Sequence, residues 1–173
     1  MKFIPTYTMP FKRRREGKTD YKRRLKLLTS KKPRLVIRRS LKYLTASIVE
    51  FSEKGDRTLV SASSKELKKM NWKFATDNLP AAYLTGLVLG KKAAKTNIKE
   101  VVLDIGLNSA TKGNRIFALA KGVLDSGIKV PISEEVFPSE ERIKGLHIAN
   151  YKEKFKDLPK EFERIKQKIL EDK

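Results

Sequence analysis

The densest chemistry in this chain is FKRRREGKTDYKRR, Phe11 to Arg24. Lys12, Arg13, Arg14, Arg15, Lys18, Arg23 and Arg24 can each meet a phosphodiester oxygen, and a run of such cations gains free energy on a nucleic-acid backbone by releasing condensed counterions. Phe11 and Tyr21 stand between them, and an aromatic ring in that setting can stack on an unpaired base. A solvated charge run or a targeting tag is the plain alternative. What favours binding is that this run leads into Arg34 and Arg38, expected on the outer face of a strand, so that arm and strand would form one basic surface.

Catalytic readings are weaker. Gly86 to Lys92 resembles a phosphate-binding loop, but its spacing is one residue short. Lys92 replaces the hydroxyl residue that would hold magnesium, and the segment lies inside a helical apolar pattern instead of after a strand. Small residues that let a helix pack closely account for it better. His147 is the only histidine and has no cysteine or clustered carboxylate with which to build a metal site or a triad. Asp104 could be one carboxylate of a two-metal nuclease, yet such a site needs further acids converging on it, and a role in orienting the following loop fits better. That loop, Gly106 to Gly113, joins a strand to a helix beginning at Asn114 and Arg115. Free backbone N–H groups there, flanked by Lys112 and Arg115, would form a phosphate site; a plain solvated loop is the competing reading. No metal or cofactor is expected.

Charge supports a polyanionic partner. Lys and Arg total 40 against 20 Asp and Glu, a net charge of +20 with a pI near 10.1. From Met1 to Ser40 fifteen basic residues face only Glu16 and Asp20, whereas from Ser133 to Lys173 ten basic residues balance ten acidic ones. The binding surface is therefore expected to start at the N-terminus, and the C-terminal part to do something else. A membrane is disfavoured, because the longest apolar stretch, Ala81 to Gly90, is about half of the roughly 20 residues a span requires. MKFIPTYTMPFKRRR has no continuous apolar core and predicts no secretory leader. With no cysteine, disulfides and thiolate chemistry are excluded.

The elements that must position these residues can be read from periodicity. Residues 1–32 hold Pro5, Pro10 and Gly17 among the cations and cannot close a core alone, so they read as a basic arm, with Leu25 and Leu28 predicting a short helix over 21–28. Residues 33–132 read as an α/β core. Strands are expected at 34–39, 43–49 and 58–62, the last two separated by the turn Lys54-Gly55-Asp56, forming an antiparallel meander with one apolar and one basic face. A helix follows over 78–95, with Asp77 as its N-cap and Pro80 in its first turn. A buried strand over 100–105, an amphipathic helix closed by Gly127 and a short strand over 128–131 would complete a right-handed crossover. Residues 133–173 read as a helical extension, with one helix from Ser139 to Ala149 and another carrying Leu158, Phe162, Ile165 and Ile169 on one stripe. The fold class is α/β: a mixed sheet, antiparallel meander plus βαβ crossover, with helices on one face.

Taken together, RRREGKTDYKRRLKLL, PRLVIRRSLKYLTASIVEF, TLVSASS, AAYLTGLVLGKKA, VVLDIGL, TKGNRIFALAKGVLDSGIKVP and FPSEERIKGLHIANY resemble the archaeal and eukaryotic branch of the 5S-rRNA-binding large-subunit ribosomal proteins, the L-eighteen and L-five family. They cover nearly the whole chain in order. The resemblance implies a cytoplasmic, non-catalytic ribosomal protein whose α/β core binds 5S rRNA. It would help anchor that RNA to the large rRNA in the central protuberance, beside neighbouring large-subunit proteins. Carried onto this chain, the RNA contacts fall on Arg13 to Arg15, Lys18, Arg23, Arg24, Arg34, Arg38, Arg39 and Lys112; Lys12, Tyr21, Lys42 and Arg115 complete the candidate set. Leu41 departs from the pattern, since relatives often place a polar residue there. The competing functions are an RNA-processing nuclease, which would need an acidic metal site, and a generic basic DNA or chromatin protein.

Overall fold

Alternating apolar side chains build the sheet. The computed structural model describes residues 8–171, so the first seven residues of the arm, Pro5 included, and the last two of the chain lie outside it. Strands β1 (Arg34–Arg39), β2 (Leu44–Glu50), β3 (Arg57–Ser63) and β4 (Val102–Asp104) form one mixed sheet in the order β3-β2-β1-β4. β1 pairs antiparallel with β2, Leu35 opposite Ile48 and Ile37 opposite Ala46, and β2 pairs antiparallel with β3, with a register irregularity at Ile48/Val49. β4 joins the other edge of β1 in parallel, Arg34 opposite Val102. Leu35, Ile37, Leu44, Ala46, Ile48, Val60 and Ala62 are buried and point into the main core.

Helices cover that apolar face. Helix α3 (Leu79–Ala94) is buried from Leu79 through Gly90, which follows from its position: it touches β2 and β3 on one side, and α4 (Arg115–Asp125), α5 (Glu140–Lys144) and α7 (Leu158–Glu171) on the others. A helix apolar all round belongs in an interior. Asn78, not Asp77, is its N-cap, accepting the Ala81 N–H at 2.9 Å. Asp77 is engaged elsewhere, as described below. A 3₁₀ helix over Ser64–Met70, held by a Ser63/Glu66 capping box, connects β3 toward α3 and was not legible from periodicity.

Two further expectations are corrected. Residues 128–131 form no strand; the crossover after α4 closes with a single parallel bridge, Glu100 to Lys129. The helix expected from Ser139 to Ala149 is two short ones, α5 and α6 (Leu146–Ala149), because Gly145 between them has φ +82, a left-handed conformation that ends the first. Leu158, Phe162, Ile165 and Ile169 of α7 are buried against the main core, as the stripe predicts.

Closeness between α3 and α4 depends on glycine. A Cβ at Gly86 would fall 2.1 Å from the Leu119 carbonyl oxygen, and one at Gly122 would fall 2.3 Å from that of Tyr83. The Gly86 to Lys92 segment is thus a packing surface, as expected. Gly122→Ala would gain about 1 kcal/mol of helix propensity, but a backbone clash of this kind forces the helices apart, and overpacking typically costs about 1–3 kcal/mol. The clash should win. Chemical denaturation of Gly122→Ala is expected to show a net loss of up to about 2 kcal/mol, and a raised midpoint would mean that α3 and α4 can separate freely.

Candidate nucleic-acid interface

The second face of the sheet is where the cations meet. Helix α1 (Lys12–Arg15) and helix α2 (Tyr21–Thr29) belong to the arm, and Asp20 caps α2 by accepting the Lys22 and Arg23 N–H groups at 3.0 and 3.1 Å. The predicted helix over 21–28 is therefore present. α2 does not stand away from the core: Arg23, Arg24, Lys26 and Leu27 close one side of a cleft of about 720 Å³ whose other side includes Arg34, Val36, Val49 and Thr58 of the sheet.

A five-membered charge network fastens the two together. Arg24 Nη2 donates to both Asp56 carboxylate oxygens at 2.9 and 3.0 Å. Arg34 donates to Asp56 at 2.6 Å through Nη2 and to Asp104 at 2.8 Å through Nη1. Arg38 adds bonds to Asp104 Oδ1 at 3.2 Å and to the Asp104 carbonyl at 2.9 Å. Asp104 also accepts the Gly106 N–H at 2.9 Å, so it orients the following loop as anticipated. Both its oxygens are thereby committed to guanidinium and amide donors, which is the surrounding of a structural carboxylate and not of a metal ligand. Among the described residues no group of three or more His, Cys, Asp or Glu is placed to hold a metal ion.

Arg34 requires a correction. It does project from the face opposite Leu35 and Ile37, but it is only 4% exposed, so it offers no outer surface. Alternation identifies the face of a strand and not what covers that face; here α2 and the Asp56 turn do. Its Nε finds no partner among the described residues.

The remaining candidates divide by what already occupies them. Lys12, Arg14 and Arg15 are exposed on α1, while Arg13 Nε donates to Thr19 Oγ1 at 2.9 Å and Lys18 pairs with Glu16 at 2.8 Å. The Tyr21 ring is half-buried and packs on Phe11 at 5.4 Å, leaving Phe11 as the exposed aromatic. Arg23 reaches the Gly106 carbonyl at 3.4 Å, and Arg39 Nε donates to Asn108 Oδ1 at 3.1 Å, so the loop after β4 is tied to both the arm and the end of β1. Lys42 is exposed in the β1–β2 hairpin beside Leu41, which is 95% exposed. Lys112 pairs with Glu135 at 3.2 Å, both well exposed.

Arg115 is a second correction. Its Nη1 donates to Asp77 at 2.9 Å and to the Asp77 carbonyl at 2.6 Å, and one of the free amides in the first turn of α4, that of Ile116, is taken by Asn114 Oδ1 at 2.5 Å. The strand-to-helix loop is thus a capped turn with a half-committed arginine and not an open anion cradle. Sequence reasoning missed Asp56, read only as a turn residue. It also missed Arg142 and His147, which come close to Arg39 and Arg115 along a second groove. The charge of Arg142 and burial, the larger cause, together lower the His147 pKa below the usual histidine value.

A family profile described as ribosomal large subunit proteins 60S L5, and 50S L18 matches residues 5–99 and 92–133. The large ribosomal subunit protein uL18 of Methanococcus maripaludis is 50% identical over 185 aligned positions, covering 95% of this chain and 96% of that protein.

Breaking a buried ion pair by removing one partner typically costs about 3–5 kcal/mol, because a charge is left uncompensated. Asp104→Ala should accordingly destabilise the protein by about 3 kcal/mol in chemical denaturation. Asp56→Ala should cost less and instead speed tryptic cleavage within Lys22–Lys26. Equal stabilities of Asp104→Ala and the parent would show that Arg34 does not depend on its carboxylates.

Proposed function

The chain belongs to the family of ribosomal large-subunit proteins that includes 60S L5 and 50S L18, and from that premise we propose that it binds 5S rRNA and helps anchor it to the large rRNA in the central protuberance. Its role is structural and non-catalytic, carried out in the cytoplasm within the large subunit and beside neighbouring large-subunit proteins. In this reading residues 1–32 and the open end of the sheet in 33–132 hold the RNA, and residues 133–173 brace the core and meet other components.

The observation that carries the proposal is a cationic strip in which, among the described residues, only Arg38 meets a carboxylate. It starts on α1 with Lys12, Arg14 and Arg15. It continues through the half-exposed Arg38 to Arg39, whose bonded partner is the neutral Asn108, and ends at Lys42 on the hairpin tip. The strand end of this strip is tied to the loop after β4, where Arg38 holds the Asp104 carbonyl and Arg39 the Asn108 side chain, and Arg23 of α2 holds the Gly106 carbonyl of the same loop. A rigid strand end with bound side chains gives fixed geometry for an irregular RNA, whereas α1 supplies charge. Arg24 and Arg34 act beneath that surface by holding the arm on the sheet.

Deleting residues 1–32 would remove α2 and uncover Arg34, so point substitution is the cleaner test. Replacing Lys12, Arg14 and Arg15 together by Ala leaves every bond of the Arg34 network intact. Affinity for 5S rRNA should fall, and the slope of log affinity against log salt should flatten by about two to three units, since three phosphate-capable charges are lost. Preference for 5S rRNA over tRNA and duplex DNA should persist in the variant. An unchanged slope would remove α1 from the interface, and equal affinity of the parent for all three nucleic acids would make this a generic polyanion binder.

A further inference from the structure

Beyond the loop after β4, on the side away from α2, runs a second groove of about 580 Å³. Three elements build it. The exposed end of β1 contributes Arg39, the loop and start of α4 contribute Asn108, Gly113 and Arg115, and the C-terminal helices contribute Arg142 and His147. Asp77 is the one acid among the lining residues, and Arg115 already pairs with it at 2.9 Å. Arg39 is held by a neutral amide and Arg142 makes no ion pair among the described residues, so two guanidinium charges in the groove are uncompensated.

The groove is also preorganised. Gly113 has φ +71, a left-handed conformation that favours glycine, and the Arg142 guanidinium lies beside it, with Nη1 3.4 Å from where a Cβ would stand. The Gly113 N–H donates to the Val136 carbonyl at 2.9 Å, and Asn114 Nδ2 donates to the Ser109 carbonyl at 3.3 Å, which fixes the loop between the core and the C-terminal extension. Planar guanidiniums spaced along a fixed polar channel suit the oxygens of a phosphodiester backbone. An acidic protein segment is the other polyanion that could lie there. RNA is favoured because the groove is continuous with the strip described above: Asn108 and Ser109 line both clefts, and Arg39 stands where they join.

We propose that this groove is a second RNA-backbone site, in which the 5S rRNA held by α1 and the end of β1 continues past Asn108 onto Arg39, Arg115, Arg142 and His147. The inference rests on the RNA-binding reading above and adds to it that the C-terminal extension, neutral overall, takes part in RNA contact. His147, uncharged near neutral pH in the free protein, would donate one ring N–H to a phosphate oxygen, and a phosphate at that distance would favour its charged form.

Three measurements on the full chain test this, RNA affinity with its salt slope, titration of His147 and incorporation into large subunits, with a 5S rRNA transcript from Methanococcus maripaludis as the RNA probe. Arg142→Gln should weaken binding about three- to tenfold and flatten the salt slope by about one unit, with Arg142→Lys restoring the slope. As His147 is the only histidine, its imidazole resonance can be followed without assignment, and its pKa should rise on binding. Unchanged affinity and slope in a folded Arg142→Gln, or a His147 pKa that does not move in the parent complex, would overturn the proposal. Should Arg142→Gln not fold, the parent titration decides alone. Loss of incorporation into large subunits with RNA affinity intact would assign the groove to a protein partner and overturn it too. If the parent does not bind the transcript at all, the 5S reading fails first, and this inference with it.

Discussion

Arg34 is a cation placed where the sheet would otherwise be finished with an aliphatic residue, and much of the arrangement on this side of the molecule follows from satisfying it. A guanidinium that is almost fully enclosed requires opposite charge within hydrogen-bond distance. Asp104 on β4 and Asp56 in the β2–β3 turn supply it, at 2.8 and 2.6 Å. The consequences spread from there. Asp56 is shared with Arg24, which brings α2 onto the sheet, and Asp104 is shared with Arg38 and with the Gly106 N–H, which fixes the next loop. One buried cation thereby ties a parallel strand pair, a hairpin turn, the arm and the loop that separates the two clefts.

The arrangement explains how a chain with a net charge of +20 keeps its basic residues in order. Like charges crowded on an arm repel, and an unsupported arm would spread. Alternating the signs as Arg24, Asp56, Arg34, Asp104 and Arg38 neutralises the inner cations, while Lys12, Arg14 and Arg15 on α1 remain available. The inner arginines carry position and the outer ones carry binding. On the other face the same division holds in apolar form, with α3 enclosed on all sides and brought close to α4 by Gly86 and Gly122.

Much of this was legible in the sequence, and the losses have physical causes. Alternation located β1, β2 and β3, and helical spacing located α2, α3, α4 and α7, since those signals record burial directly. Periodicity also placed Arg34 and Arg38 on the face away from the core, correctly. It could not show that α2 would cover one and leave the other half-exposed, because that depends on Asp56, twenty-two positions further along in sequence and apparently a turn residue. Asp77 illustrates the same limit: it has the chemistry of an N-cap, but Asn78 takes the cap and Asp77 takes Arg115. The break at Gly145 was visible as a residue but not as a conformation. Composition led only as far as a polyanion; 5S rRNA came from resemblance to a family, to which the chain does belong.

The C-terminal extension shows why net charge over a segment is a poor guide to its surface. From Ser133 to Lys173 acids and bases are equal in number, which suggested a role apart from the main binding surface. In the fold, however, Glu161 is held by Arg164 at 2.5 Å, Glu163 lies 3.7 Å from Lys144, Glu153 pairs with Lys156 at 2.9 Å, and Glu135 reaches out to Lys112. Exposed pairs of this kind add little stability. Their effect is on distribution, since each takes one acid and one base together out of the field that a polyanion would feel. Arg142, on the side of α5 that meets Gly113, is left facing the groove with Arg39. A segment neutral by count can thus present a cationic edge toward the loop and a balanced surface elsewhere, and a helix added at the end of a chain can extend a binding surface that begins at its start.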